Sequence, residues 1–141
     1  MRITVLAGLA AVAFIASENP GACSPLGNWL AKDGATIRIS SCGQNMCGFM
    51  AKPNPPNDPD TNRPWTDKNN IDPAKRSRRL AGVQILIGMK PKGSKTWSGR
   101  LYNSDYGKTY AVNPIDLEDA RIRIEGCAFG ICGGEELTRL K

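Results

Sequence analysis

The stretch Trp97–Tyr110, WSGRLYNSDYGKTY, indicates the fold of the whole chain. Its side chains alternate as in a β-strand, with Trp97 and Leu101 on one face and Arg100 on the other. Turn-forming residues follow at Asn103, Ser104, Asp105 and Gly107. A second β-prone run then begins at Thr109. The stretch therefore predicts a β-hairpin with Trp97, Leu101, Tyr110 and Val112 facing inward and Arg100 in solvent.

Similar short strands and turns fill most of the remaining chain. Ala35–Cys42 alternates cleanly, as expected for a half-buried antiparallel strand. Val83–Met89 is the most apolar run and predicts a strand with Val83, Ile85, Ile87 and Met89 on one face and Gln84, Leu86 and Gly88 on the other. About eight consecutive strands joined by hairpins favour a single all-β domain, an up-and-down antiparallel β-barrel, because a closed barrel leaves no exposed strand edges.

The segment 52–80 interrupts this pattern between the third and fourth strands. Its prolines prevent regular strand pairing, and its many Asp and Asn residues are typical of turns. Asp72-Pro73 predicts a helix N-terminus, so we expect a short helix from Pro73 to about Arg79. Long connections in compact domains are usually lids, binding loops or disordered segments. We therefore predict that residues 52–80 form an irregular insertion that covers the barrel mouth as a lid.

The N-terminus predicts export. Met1-Arg2 is basic and Ile3–Ala16 is apolar, which is the order of a signal peptide. Cleavage after Ala22 would leave residues 23–141 as a single domain with no transmembrane segment. A lipid anchor on Cys23 is the alternative, but the preceding residues lack the aliphatic residue that such a signal requires. The prediction is a periplasmic or secreted protein.

Four of the five cysteines form two C-x4-C units around tight turns. Opposed positions on paired strands bring Cβ atoms within disulfide distance, and an exported protein meets an oxidising compartment. We therefore favour disulfides over a four-cysteine zinc site. The predicted pairs are Cys42 with Cys47 and Cys127 with Cys132.

Charge and composition limit the classes of partner and activity that the chain can have. The chain has 19 Lys and Arg against 13 Asp and Glu, a net charge of +6, which points to an anionic envelope component rather than to nucleic acid. Clusters at Arg76, Arg78 and Arg79 carry part of this charge. There is no histidine, which removes the commonest general base and the usual nucleophile systems. Asp58-x-Asp60-x-Asn62 resembles the start of a calcium loop but lacks its glycine, so we predict no metal site there. Because no cofactor motif is present and the chain has no histidine, we also predict no cofactor and no enzymatic activity.

Several of these motifs together resemble a known family. They are Gly27-x-Trp29, Cys42-Gly43-x3-Cys47-Gly48, Asp67-x-x-Asn70, Arg79-Leu80-x-Gly82 and Trp97-x-Gly99-x-Leu101-Tyr102-x4-Gly107-Lys108-Thr109-Tyr110. They are similar to those of small exported bacterial proteins that form a domain-of-unknown-function family, number twenty-one forty-seven. The resemblance implies a lipocalin-like barrel of the calycin type with no established catalytic residues. A Trp-x-Arg close is typical there, and Leu137-Thr138-Arg139 stands in its place, so we expect one end of the barrel to be packed differently.

Two hypotheses for function follow. In the first, the barrel mouth binds a small apolar or amphipathic ligand. In the second, the barrel is filled by its own side chains, and the 52–80 insertion acts as a protein-interaction or inhibitor module of the cell envelope. The residues predicted to contact a ligand are Trp65, Asp67, Asn70, Met89, Trp97, Tyr102 and Tyr110. An acid–base role for Asp67, Asn70, Tyr102 and Tyr110 is a third and weaker hypothesis.

Overall fold

A computed structural model describes residues 24–118, 120–128 and 131–141. The predicted signal peptide and Cys23 lie outside the described residues. The described chain contains ten strands: β1 Gly27–Leu30, β2 Thr36–Cys42, β3 Asn45–Lys52, β4 Asn57–Asp58, β5 Arg63–Pro64, β6 Gln84–Pro91, β7 Trp97–Asn103, β8 Lys108–Glu118, β9 Arg121–Ala128 and β10 Ile131–Arg139.

Eight of these strands close into an antiparallel barrel in the order β1-β10-β9-β8-β7-β6-β3-β2. Neighbours in the barrel are neighbours in sequence, apart from β1 with β10, which closes it, and β3 with β6, between which the insertion lies. Within the part of the chain that the structure describes, β4 and β5 pair only with each other. The predicted up-and-down barrel is confirmed, with hairpins supplying nearly all of its strand pairs.

Strand β6 differs from the prediction because its pairing with β3 and β7 is irregular. Phe49 pairs with Gln84 but Gly48 pairs with Leu86, so β6 has one extra residue at this point, a β-bulge. As a result, the consecutive residues Ile85 and Leu86 are both buried. A second irregularity follows at Gly88, whose φ is +58°. The prediction that Ile87 shares one face with Val83, Ile85 and Met89 is wrong: Ile87 pairs with the exposed Arg100 and is half-buried.

One end of the barrel is closed by packing around Trp29. This side chain is 2% exposed, and its indole nitrogen donates to the carbonyl of Pro25 at 2.8 Å. Arg139 lies over the ring, with its guanidinium carbon 4.4 Å from the ring centre. Arg139 also donates to the carbonyls of Leu26 and Ser24, so it ties the start of the domain to the end of β10. Arg139 thus stacks on Trp29 of the first strand, although Leu137 occupies the position at which the Trp-x-Arg pattern has a tryptophan.

Both predicted disulfides are present. Cys127 and Cys132 are directly opposed on β9 and β10, with Cα atoms 4.0 Å apart. Cys42 and Cys47 are diagonal partners 5.8 Å apart, because Cys47 pairs with Ser40. The two bridges lie at opposite ends of the barrel, one beside each hairpin turn.

The predicted helix is only one turn long. Asp72 caps it by accepting from the amide of Ala74 at 3.0 Å, as expected, but the 3-10 turn covers only Pro73–Lys75. The backbone beyond it pairs in extended form: Asp67 donates to the carbonyl of Arg78, and Thr66 forms a bridge with Arg79. Those contacts take the backbone groups that a longer helix would use.

Candidate functional site

The barrel holds a cavity of about 350 Å³ at the end opposite Trp29. Most of its walls are apolar, with Ala31, Ala35, Ile37, Met50, Ile85, Leu101, Val112, Ile124, Ile131 and Leu137 among the lining residues. Tyr110 also lines it and is half-buried. The mouth is formed by the β1–β2 and β7–β8 turns and by the adjoining ends of β9 and β10.

Small residues keep this half of the barrel open. Gly126, Gly133 and Gly134 contribute to the walls along β9 and β10. A Cβ atom built on Gly133 would meet no atom within 4 Å, so this position borders open space. The other half is filled by large buried side chains, of which Trp29, Leu86 and Met89 are the largest. The barrel is therefore packed at one end and hollow at the other.

The mouth of the cavity is acidic. Asp33, Asp105 and Glu135 contribute to it, and no Lys or Arg is among the described lining residues. Glu135 accepts a hydrogen bond from the amide of Lys32 at 3.2 Å, which holds its carboxylate beside the β1–β2 turn. A group that enters the cavity therefore passes three carboxylates before it meets the apolar walls.

A buried polar network attaches the insertion to the outside of the barrel. Asp67 is 1% exposed and receives hydrogen bonds from the Tyr102 hydroxyl at 2.5 Å and from the Asn70 amide at 2.8 Å. Arg78 completes the set, with its Nε and one terminal nitrogen 2.9 and 2.8 Å from Asp67 Oδ2. Both carboxylate oxygens of Asp67 are thus satisfied by donors, as burial of a charge requires.

Tyr102 connects this network to strand β7. It follows Leu101, which lines the cavity, so its side chain projects from the opposite, outer face of the sheet. Burial, together with the hydrogen bond to Asp67, raises the pKa of Tyr102 to about 12. The hydroxyl therefore remains protonated at neutral pH and acts as a donor to Asp67. Because the carboxylate is fully engaged and the phenol is a weak acid, this cluster has the properties of a structural lock rather than of an acid–base pair.

Two glycines of the Trp97–Tyr110 hairpin are explained by close backbone contacts. A Cβ atom on Gly99 would lie 2.7 Å from the carbonyl oxygen of Ile87 and from the sulfur of Met89. Gly107 has a φ of +65°, and its Cβ would lie 1.7 Å from the carbonyl oxygen of Asn69. The hairpin is therefore both a wall of the barrel and the surface on which the insertion rests.

The first part of the insertion has an anchor of its own. Asp58 is 4% exposed and forms an ion pair with Lys68 at 2.7 Å, and Lys68 lies 4.9 Å from the ring centre of Trp65. Hydrogen bonding from Lys68 lowers the pKa of Asp58 below its ordinary value. The Trp65 indole donates to the carbonyl of Pro55 at 2.8 Å. These contacts fix the loop that carries β4 and β5.

The insertion flanks the mouth but does not line the cavity. Asn54 contacts Gly34 and donates to the carbonyl of Asp33 at one side of the mouth. Asn69 donates to the carbonyl of Asp105 at the other side. None of the described cavity-lining residues comes from 52–80. The contacts with Tyr102 and Gly107 hold the segment against the outer wall, where it borders a separate groove of about 760 Å³.

The seven predicted ligand-contacting residues divide among these regions. Tyr102 and Tyr110 contribute to the cavity and to the outer groove, and Asn70 contributes to the groove. Asp67 and Met89 are fully buried, while Trp65 and Trp97 are half-buried against the core. These four line neither space, so ligand contact at them stays a prediction. Asp67, Asn70 and Tyr102 do lie together, but as the network described above.

Sequence reasoning missed the role of Arg78 and of the mouth carboxylates. Arg78 was grouped with Arg76 and Arg79 as surface charge, although its side chain binds the buried Asp67. The spacing of 11 residues between them gives no local signal. Asp33 and Asp105 have the composition of ordinary turn residues, and only barrel closure brings them to one opening.

Comparison with known proteins agrees with this architecture. A solved structure titled "Protein HP1028 from the human pathogen Helicobacter pylori belongs to the lipocalin family" superposes with a TM-score of 0.72 and 19% sequence identity, covering 85% of each chain. At this identity the similarity concerns the fold, which is that of a lipocalin-like β-barrel. The chain belongs to the family described as uncharacterized protein conserved in bacteria (DUF2147), which it matches over residues 27–139. No curated protein matches the sequence significantly.

Within residues 24–118, 120–128 and 131–141, no helix has the length and apolar character needed to cross a membrane. The same ranges contain no group of three or more His, Cys, Asp or Glu side chains placed to hold a metal ion.

Proposed function

We propose that this protein is a non-catalytic binding protein of the bacterial cell envelope, and that its barrel cavity takes a small apolar or amphipathic ligand. The observation that supports the proposal is a cavity of about 350 Å³ with apolar walls inside a barrel that is otherwise tightly filled. Small-molecule sites are usually apolar hollows of about 300–1,000 Å³ with a few polar groups. Export rests on the N-terminal sequence and on the two disulfides.

The volume limits the ligand. A water molecule takes about 30 Å³ of liquid, so the cavity corresponds to roughly a dozen waters. A ligand of on the order of a dozen non-hydrogen atoms would fill it, for example a short acyl chain or a substituted aromatic ring. A longer chain would extend through the mouth.

The mouth limits the polar end of the ligand. Asp33, Asp105 and Glu135 would repel a carboxylate held at the opening and would attract an ammonium group. We therefore expect a neutral or amine-bearing amphiphile to bind more tightly than a fatty acid of the same chain length.

Gly133 offers a direct way to test the cavity. A Cβ atom on Gly133 would meet no described atom within 4 Å, and the residue lines the site, so the side chain of Gly133→Leu would take up part of the hollow. Thr138→Leu on the same strand is the matched control, because Thr138 is exposed and lines neither space. Titration with a fluorescent lipophilic dye should show saturable binding to the wild-type protein and to Thr138→Leu.

Gly133→Leu should lower dye affinity about tenfold or more, which is about 1.4 kcal/mol. Decylamine and decanoate, added as competitors, test the charge preference, and decylamine should displace the dye at the lower concentration. The proposal fails if the wild-type protein shows no saturable binding, or if Gly133→Leu binds the dye as the wild type does.

A second candidate function rests on the surface of the insertion. Residues 54–57 and 59–64 are exposed, yet the loop is held by the Asp58–Lys68 ion pair and by the Trp65 hydrogen bond. A fixed, proline-rich loop can present backbone groups to a partner protein at a small entropic cost. Deletion of residues 59–62 should abolish capture of an envelope partner if this function is correct, and should leave dye binding unchanged.

A further inference from the structure

The outer groove is a second concave site, separate from the barrel interior. It has a volume of about 760 Å³ and lies between the 3-10 turn Pro73–Lys75 and the outer faces of β6, β7 and β8. Its floor is mixed: Ile87, Tyr102 and Ala111 are apolar or aromatic, while Gln84 and Thr109 carry hydrogen-bonding groups. A groove that runs beside three strands and the 3-10 turn has room for several units of a chain-like molecule.

The charge of the groove is positive. Lys75, Arg78 and Lys108 line it, against the single carboxylate of Asp72. Asp72 is already engaged, because it caps the turn by accepting from the amide of Ala74. Arg100 lies on the same face of the sheet as Ala111, its cross-strand partner, and adds a further exposed cation beside the groove.

Among the described residues, Arg78 is the one cation of this group that has a carboxylate partner, Asp67. The ion pairs of the described chain involve Lys68, Arg78, Lys95, Arg121 and Arg123. Lys75, Arg76, Arg79, Arg100 and Lys108 belong to none of these pairs and are exposed. Of these five residues, Lys75 and Lys108 line the groove and Arg100 lies beside it, so part of the net positive charge of the protein is concentrated at one concave surface.

Arg78 is held in place by the network that locks the insertion. Two of its nitrogens bind Asp67, whose side chain is fully buried, and 40% of the Arg78 side chain remains exposed at the groove. A guanidinium has five N–H donors, so this arrangement fixes its plane and leaves other donors for a ligand. A fixed guanidinium loses little side-chain entropy on binding, unlike a free surface arginine.

We propose that this groove binds a chain-like anionic ligand through its phosphate groups, independently of the barrel cavity. Arg78 and the two lysines supply charge-assisted hydrogen bonds to phosphate oxygens. Ile87 and Tyr102 contact the less polar parts of the chain. A concave groove is less suited to a flat lipid surface, which would meet only the side chains on its rim.

The test compares two double variants with the same net charge. Lys75→Gln/Lys108→Gln removes the two groove lysines, and Lys90→Gln/Lys92→Gln removes two exposed lysines near the β6–β7 turn at the other end of the barrel. Binding of a short-chain inorganic polyphosphate is measured by calorimetry at 25 mM and 200 mM NaCl. The groove variant should bind at least tenfold more weakly at low salt, while the control variant should change less than threefold. Binding to the wild type should weaken at the higher salt.

Three results would overturn the proposal. Equal losses in the two double variants would show that only net charge matters. Tight binding of polyglutamate at equal charge would show that phosphate is not the recognised group. Binding to phosphatidylglycerol vesicles without binding to polyphosphate would show that the surface meets a membrane. Dye binding in the barrel should be unchanged in both variants, so this test is separate from that of the proposed function.

Discussion

Replacement of Tyr102 by phenylalanine tests the lock between the insertion and the barrel. The change removes one hydroxyl that donates to Asp67 at 2.5 Å and accepts from Asn70 at 3.0 Å. Asp67 Oδ1 then has no donor among the described residues, although its side chain is fully buried. Loss of a hydrogen bond to a charged group costs about 1.5–3 kcal/mol. For a domain of this size, that corresponds to a decrease of roughly 6–12 °C in the melting temperature.

The same variant should change the alkaline limb of the stability profile. The pKa of Tyr102 is raised from 10.0 to about 12 by burial and by the hydrogen bond to Asp67. The unfolded chain therefore loses this proton at lower pH than the folded chain, so the stability from Tyr102 is complete below pH 10 and is lost as the pH rises to 12. A shift of this size corresponds to about 3 kcal/mol, at about 1.36 kcal/mol per unit.

Urea unfolding followed by circular dichroism at pH 7, 10, 11 and 12 measures both effects. The free energy of unfolding of the wild type should fall more steeply above pH 10 than that of Tyr102→Phe. Tyr106→Phe is the control, because Tyr106 is 69% exposed and should behave as the wild type. The reasoning is refuted if Tyr102→Phe has wild-type stability at pH 7 and the same slope above pH 10.

Three further substitutions test other parts of the structure. Gly107→Ala should destabilise the fold by at least about 2 kcal/mol more than Gly43→Ala, because both glycines have positive φ but only Gly107 lies against Asn69; equal losses on urea unfolding would remove the argument for docking. Trp97→Ala should lower the free energy of unfolding by about 3 kcal/mol, the lower end of the range for a buried tryptophan, since Trp97 is half-buried against the core. A melting temperature within a few degrees of the wild type would show that Trp97 is not a core residue. Asp58→Asn should have a lower free energy of unfolding than the wild type at pH 7, and the two should converge near pH 2. The reason is that the lowered pKa of Asp58 gives stability that is present above its ordinary value of 3.8 and is lost as the pH falls. A difference in the free energy of unfolding that stays the same from pH 7 to pH 2 would contradict the role of the Lys68 ion pair.

The barrel could be predicted because its information is local. Hairpins such as the one around Asn103–Gly107 show period-two alternation and turn residues within a few positions of each other. The disulfides follow from the same hairpins, since each pair is separated by only five positions. The alternation in β6 was less informative, because two irregularities move Leu86 inward and Ile87 outward.

The position of the insertion could not be predicted in the same way. Its anchor joins Asp67 to Tyr102 over 35 residues, and neither residue has a local pattern that names the other. The hollow half of the barrel depends on Gly133 and on small residues from several strands, and a sequence pattern shows only that these residues face inward. The acidic mouth and the basic groove likewise arise only when distant turns are brought together.

The claim that the barrel carries a small ligand is tested most directly by native mass spectrometry of protein purified gently from its own bacterial host. The wild-type protein and the Thr138→Leu control should retain a small molecule of defined mass, and Gly133→Leu should not, because a leucine side chain at this position would take up part of the space that a ligand needs. The account is contradicted if the wild-type protein carries no added mass, or if Gly133→Leu retains the same added mass as the wild type.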